Sequence, residues 1–291
     1  MEKLEENNRV RAGFLAARNI TKKYAKTFYL ASLFLPREKR NASYVLYSIC
    51  RLSDESVDAS GDAQKLQRLE ALRHDIKSAY EGRASLHPLF MTFQRTIIKY
   101  ALPQQYFDEL LAGMSMDLVK NRYATFDELY EYCYKVAGVI GLIMIQVFGY
   151  TDEQAKARAI QLGIAMQLTN ILRDIQEDYA RGRVYLPADE MEAFGINETH
   201  LAQKAVNENV KRFLQFQIAR ARTYYASALQ GVGFINNRNS RMVILAMADM
   251  YSGILDKIEE NNYDVFSWRA HLCLGEKAAR LAKILMKGAY L

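Results

Sequence analysis

Apolar residues recur three and four positions apart along almost the whole chain, and only four prolines interrupt them: Pro36, Pro88, Pro103 and Pro187. That period is the signature of helices with one buried face. The pattern predicts a helix from Arg11 to Leu35 that Pro36 breaks, then a second from Glu38 to Ala59 closed by Ser60 and Gly61. Asp62 to Glu81 reads as a charge-rich amphipathic helix, Gly82 to His87 as a loop, and the segment after Pro103 as a helix through Asn121. Thr125 to Phe148 is the most apolar helix, and its longest apolar run, Val136 to Phe148, is too short to cross a bilayer. Arg181 to Pro187 reads as a loop, and Glu198–Gln230 and Ser240–Asn261 as two long helices joined by GVGFINNRN. No linker separates a second core. The expectation is an all-α protein, residues 1–291 forming a single domain.

Two stretches depart from ordinary amphipathic helices. In LGIAMQLTNILRDIQEDYARGRVYLP, from Leu162 to Pro187, the polar residues Gln167, Asn170, Asp174 and Asp178 share one helical face among Ile164, Leu168, Ile171, Leu172 and Ile175. Asp174 and Asp178 form an i,i+4 like-charge pair, and neither has a basic residue four positions later. Exposed, such a pair costs a helix roughly 0.2–0.5 kcal/mol, and more as water is withdrawn. The second stretch, Tyr47 to Asp58, repeats the arrangement with Asp54 and Asp58, and Arg51 stands one turn earlier. Two such helices facing each other would converge carboxylates suited to magnesium, with manganese as an alternative, and the metal would hold a diphosphate. On this reading, replacing Asp54 or Asp174 with Asn relieves repulsion, so the metal-free fold should be no less stable.

Composition narrows the partners. The formal charge of +6 suits an anionic substrate or an anionic membrane surface, and no nucleic-acid motif accompanies it. Cys50, Cys133 and Cys273 have neither metal nor disulfide spacing, and the first residues lack the apolar segment of a signal peptide, so a reducing cytoplasm is expected, with a peripheral membrane contact for product release. Small residues crowd the apolar helix at Ala137, Gly138 and Gly141. They allow something to approach the backbone, either a neighbouring helix or a ligand.

Both acidic motifs, with YCYKVAGVIG between Tyr132 and Gly141, resemble the squalene/phytoene synthase family of head-to-head prenyltransferases. The resemblance runs from TKKYAKTFYLAS (Thr21 to Ser32) to YSGILDKIEENNYDVFSWRA (Tyr251 to Ala270). It implies an isoprenoid-synthase-type helical bundle around a central cavity. It also implies condensation of two prenyl diphosphates through a cyclopropylcarbinyl diphosphate. Asp54, Asp58, Asn170, Asp174 and Asp178 would hold the metal; Lys26, Thr27, Phe28, Gln167, Asn170, Arg173, Arg183 and Arg269 would bind substrate. Ala137, Gly138 and Gly141 would line the tunnel, and Tyr47, Arg51, Tyr132, Tyr185 and Tyr251 would face the reacting carbons and the departing diphosphate. Tyr24 and Ala25 stand where several members carry a histidine or serine before the lysine. The SMDL (Ser115 to Leu118), FDELYEYCYKVAG and RGRVYLPADEM stretches resemble the phytoene-forming branch, which uses geranylgeranyl diphosphate and ends by proton loss, so NADPH is not expected. The alternatives are a farnesyl-using squalene, dehydrosqualene or presqualene diphosphate synthase, and a noncatalytic scaffold, which would be expected to lose its acidic clusters.

Overall fold

The computed structural model describes residues 2–57, 62–83 and 87–288. The chain enters through α1 (Glu2–Tyr24) and α2 (Lys26–Ser32). The sequence pattern predicts these as one helix; Ala25, at φ −124° and ψ 59°, separates them and redirects Lys26, Thr27 and Phe28. Pro36 then precedes α3 (Arg37–Val57), and α4 (Asp62–Tyr80) follows. Pro88 occupies the first turn of α5 (Pro88–Lys99), and Pro103 caps α6 (Gln104–Val119). Proline suits these positions because a first-turn N–H has no helical partner to lose.

A short strand β1 (Arg122–Tyr123) leads into the apolar segment: α7 (Phe126–Cys133), a π-helical turn (Tyr134–Gly138) and α8 (Val139–Phe148). Its 23 residues satisfy the length and composition of a membrane span, yet 56% of the most apolar window is buried inside the protein. It packs between α6 and α9 (Gln154–Arg173), as a core helix does. Beyond α9 come α10 (Ile175–Ala180), β2 (Val184–Pro187) and α11 (Ala188–Ala193). β2 pairs in parallel with β1, Arg122 opposite Val184 and Tyr123 opposite Pro187.

The predicted helix from Glu198 to Gln230 divides into α12 (Glu198–Ala202) and α13 (Glu208–Leu229). Asn207 causes the break: its side chain accepts the Val210 N–H and so starts a new helix. The chain closes with α14 (Arg238–Glu260) and α15 (Leu274–Gly288). One apolar cluster runs from Ala17 in α1 to Ile284 in α15, with α9 packed against α8, α13 and α14.

Candidate active site

A cavity of about 830 Å³ follows α9 along its length. One face of that helix supplies Ala155, Ala159, Leu162, Gly163 and Met166, then Gln167, Asn170 and Asp174. The lining is therefore mainly apolar over the first three turns, where Arg158 is the exception and is held by Gln161 and Ser227, and polar at the last. α14 closes the apolar part with Val243, Ile244, Met247, Met250, Tyr251 and Ile254. At the polar end, Lys26, Thr27 and Phe28 of α2 and Tyr47, Arg51 and Asp54 of α3 complete the rim. The structure thus brings the two acidic helices to one mouth, Asp54 on one wall and Asp174 and Asp178 on the other. Asp58 lies outside the described residues.

The polar rim is richer in cations than the sequence spacing suggests. Asp174 is not an unrelieved like charge: Arg173 donates to it at 2.8 and 2.5 Å and Arg269 at 2.7 and 3.1 Å. Adjacent residues of a regular helix do not face each other. Accordingly Asp174 leaves helical geometry, at φ −105° and ψ 12°, and α9 ends there. The expectation that removing this carboxylate relieves strain is corrected by those two arginines, which would lose their partner. Asp178 is the strained member. Burial first, and then the charge of Asp174, push its carboxyl from 3.8 up to about 7. Arg51 is bound to Glu55 at 3.0 Å and lies over the Tyr24 ring. Arg181 pairs with Glu177 at 2.8 Å at the exposed edge of the rim, whereas Arg183 lines the mouth. Lys277 of α15, which the spacing of motifs did not single out, also lines the cavity; burial, with Lys26 nearby, lowers its ammonium pKa.

Asp178 therefore makes the metal-free protein sensitive to pH. Between about pH 4 and about pH 7 the folded chain keeps a proton that the unfolded chain has released, so stability falls as pH rises through that window. Melting in chelator at about pH 5 and about pH 7.5 should show the drop. Asp178→Asn should flatten it and raise the midpoint at the higher pH; an unchanged slope in the variant would remove Asp178 from this role.

The tyrosine side of the cavity is tightly ordered. Tyr132 and Tyr185 stack at 5.0 Å between centroids, and Tyr123 stacks on Tyr185 at 5.7 Å. The β1–β2 pairing places Tyr123 beside Tyr185. Both Tyr132 and Tyr185 donate to Asp117, at 3.1 and 2.7 Å. Burial raises the Tyr47, Tyr132, Tyr185 and Tyr251 phenols above their usual range and hence keeps them protonated. Asp117, which the sequence marks only as part of a branch-typical stretch, is the functional candidate that motif reading missed.

The small residues have a double use. A Cβ on Gly141 would lie 2.2 Å from the Ala159 carbonyl oxygen, and one on Gly163 would lie 2.2 Å from that of Ala137. Two Ala-x-x-x-Gly pairs, 137/141 and 159/163, thus clasp α8 and the π-helical turn against α9, and all four residues line the cavity. Gly138 does not: it points at Ile160 and Tyr134, a correction to its expected place in the tunnel wall.

The family model for squalene/phytoene synthase matches residues 21–276. The chain belongs to that family. Among squalene/phytoene synthases, the chain is 38% identical over 287 residues to the 15-cis-phytoene synthase of Synechococcus elongatus, covering 94% of this chain and 92% of the relative. It is 39% identical over 269 residues to the phytoene synthase of Arthrospira platensis, covering 88% and 86%. Among solved structures, a dehydrosqualene synthase in complex with ligand superposes with a TM-score of 0.90 at 26% identity, covering 98% of this chain and all of that one. A squalene synthase from Alicyclobacillus acidocaldarius gives a TM-score of 0.80 at 25% identity, covering 87% and 95%. The protein is accordingly an all-α prenyltransferase of the squalene/phytoene synthase family.

Proposed function

We propose that the protein joins two geranylgeranyl diphosphates head to head, through a cyclopropylcarbinyl diphosphate, to give phytoene. The observation that carries this reading is the graded face of α9, which pairs a charged mouth with a long apolar channel. From Gln167 back to Ala155 the apolar lining measures roughly 18 Å at 1.5 Å per residue. An isoprene unit contributes four backbone carbon–carbon bonds of about 1.5 Å, or ~5 Å when extended, so a geranylgeranyl tail needs ~20 Å and a farnesyl tail ~15 Å. The length of this lining is nearer to that of the longer tail. The phytoene synthases to which the chain is similar support the same choice.

The oxygen donors at the mouth are of the type a hard divalent cation takes. Among the described residues, however, no three acidic side chains are drawn together, and Asp174 is held by Arg173 and Arg269. Asp54, Asn170, Asp174 and Asp178 would hold magnesium, with manganese as an alternative, and Asp58 would join them. Bound there, the metal would neutralise charge building on the leaving diphosphate. Lys26, Arg51, Arg173, Arg183, Arg269 and Lys277 supply further positive charge around it. Thr27 and Gln167 offer hydrogen bonds at the same level, and Phe28 packs near Tyr47, with ring centroids 6.0 Å apart. The channel below is lined mainly, Arg158 and Asp117 excepted, by apolar side chains and protonated tyrosines, which limit water and present electron-rich rings to a carbocation.

The test is a four-way incubation of purified protein with magnesium and either geranylgeranyl or farnesyl diphosphate, with and without NADPH. The expected result is a forty-carbon hydrocarbon from geranylgeranyl diphosphate, unchanged by the nucleotide. A thirty-carbon product in preference would replace this reading with a squalene- or dehydrosqualene-type one. No product from either substrate would favour a scaffold.

A further inference from the structure

We infer that Asp117 is the base that ends the reaction, receiving the last proton through the hydroxyl of Tyr132. The inference rests on the phytoene-forming reading above and names a residue for its final step. Asp117 stands in the last turn of α6, which carries no basic residue there. A carboxylate opposes the helix dipole at that end, so its placement costs stability and asks for a reason. It lines the cavity, and its two oxygens are engaged unequally: Tyr185 at 2.7 Å on Oδ1 and Tyr132 at 3.1 Å on Oδ2. The shorter bond anchors the carboxylate. The longer one, from Tyr132, is the contact through which a proton can pass from the cavity to Oδ2.

The Tyr123 hydroxyl adds a second observation. Tyr123 is 1% exposed and its hydroxyl has no hydrogen-bond partner, an uncommon state for a buried polar atom. Burial first, and then the charge of Asp117, raise its pKa.

The step balances. The final forty-carbon cation loses a proton from the carbon beside its charged centre, and the C–H electron pair becomes the new double bond. The Tyr132 oxygen takes that proton while its own passes to Asp117 Oδ2. Tyr132 ends as it began, Asp117 ends protonated, and the proton returns to solvent when product leaves. No oxidant or reductant is required.

The experiment supplies the cyclopropylcarbinyl diphosphate directly, in single turnover with magnesium, so that only the last ionisation and its quenching are read. Wild type should give hydrocarbon. Asp117→Asn keeps the size and one acceptor but cannot take the proton. Its ratio of hydrocarbon to water-captured alcohol should fall by about 100-fold, the usual weight of a positioned general base. Tyr132→Phe should shift the ratio the same way, and Asp117→Glu should restore it in part. Circular dichroism verifies that each variant is folded. An unchanged ratio in Asp117→Asn would overturn the inference, as would a uniform slowing with no change of ratio, which would make Asp117 a support for the tyrosines alone. A wild type that yields no forty-carbon product would instead overturn the phytoene reading.

Discussion

Asp174→Asn should stop turnover and, at the same time, lower the melting midpoint of the metal-free protein. The catalytic loss follows from removing a charged oxygen at the mouth and is expected to be on the order of 10²–10³ or more, as for a preorganised group facing developing charge. The stability loss follows from the two arginines. Asp174 is mostly buried, with 17% of its side chain exposed, as is Arg173 at 16%, whereas Arg269 is 56% exposed. Asparagine keeps one acceptor but no charge, so the pair with Arg173 should account for most of a loss of roughly 1–3 kcal/mol. In a chain of this size that is several degrees. Asp54→Asn should match the loss of turnover from the opposite wall. Turnover assays at saturating magnesium and melting in chelator read both effects. Either variant retaining a tenth of wild-type turnover would remove that carboxylate from the metal site. An unshifted midpoint in Asp174→Asn would mean the arginine pairs contribute nothing to the fold.

Gly141→Ala is expected to have a large effect on folding. Its Cβ would stand 2.2 Å from the Ala159 carbonyl oxygen and 2.8 Å from the carbonyl carbon. Backbone cannot rotate away as a side chain can, so the two helices must part. Overpacking of this kind costs typically ~1–3 kcal/mol and here should reach the upper end or exceed it. Gly163→Ala should behave alike, because its contact with Ala137 is the mirror of the first. Gly138→Ala meets Ile160 Cγ2 and Tyr134 Cδ2, both at 3.2 Å, with the Ile160 carbonyl oxygen no nearer than 3.7 Å, and should be milder. Urea unfolding of the three variants would rank them; equal midpoints for Gly138→Ala and Gly141→Ala would contradict the close approach of α8 to α9.

Much of the fold and rim was legible because it obeys local rules. Proline positions and apolar period mark most helix boundaries, and the repeated Asp-x-x-x-Asp places Asp54, Asp174 and Asp178 at one mouth. What escaped depends on residues distant in sequence. The pairing of Asp174 with Arg269 spans 95 positions, so spacing along one helix could only suggest repulsion. Asp117 gains its meaning from Tyr132 and Tyr185, which reach it through the π-helical turn's helix and a two-stranded pairing that no periodicity announces. Ala25 and Asn207 are local breaks of another kind. Asn207 is a cap whose signal was present, directly ahead of Glu208, but was outweighed by the continuing helical period. The twin Ala-x-x-x-Gly spacing was also visible in the letters, yet only the second helix shows whether small residues admit a ligand or a neighbour. Here they do both.

The clasp of α8 on α9 gives the channel one unyielding side made of main chain. Elsewhere on the wall stand Met114 of α6 and Met247 and Met250 of α14, and α8 and α9 themselves add Met144 and Met166, together five of the chain's 11 methionines. Unbranched thioether chains refill irregular space readily. A substrate that passes from two separate tails to a strained three-membered ring and then to one long chain changes its outline at every stage. With an anvil on one side and a cushion on the other, the protein can keep the reacting end aligned with the mouth while the tails rearrange. Attempts to widen the bore for longer tails should therefore succeed on the methionine side and fail on the glycine side.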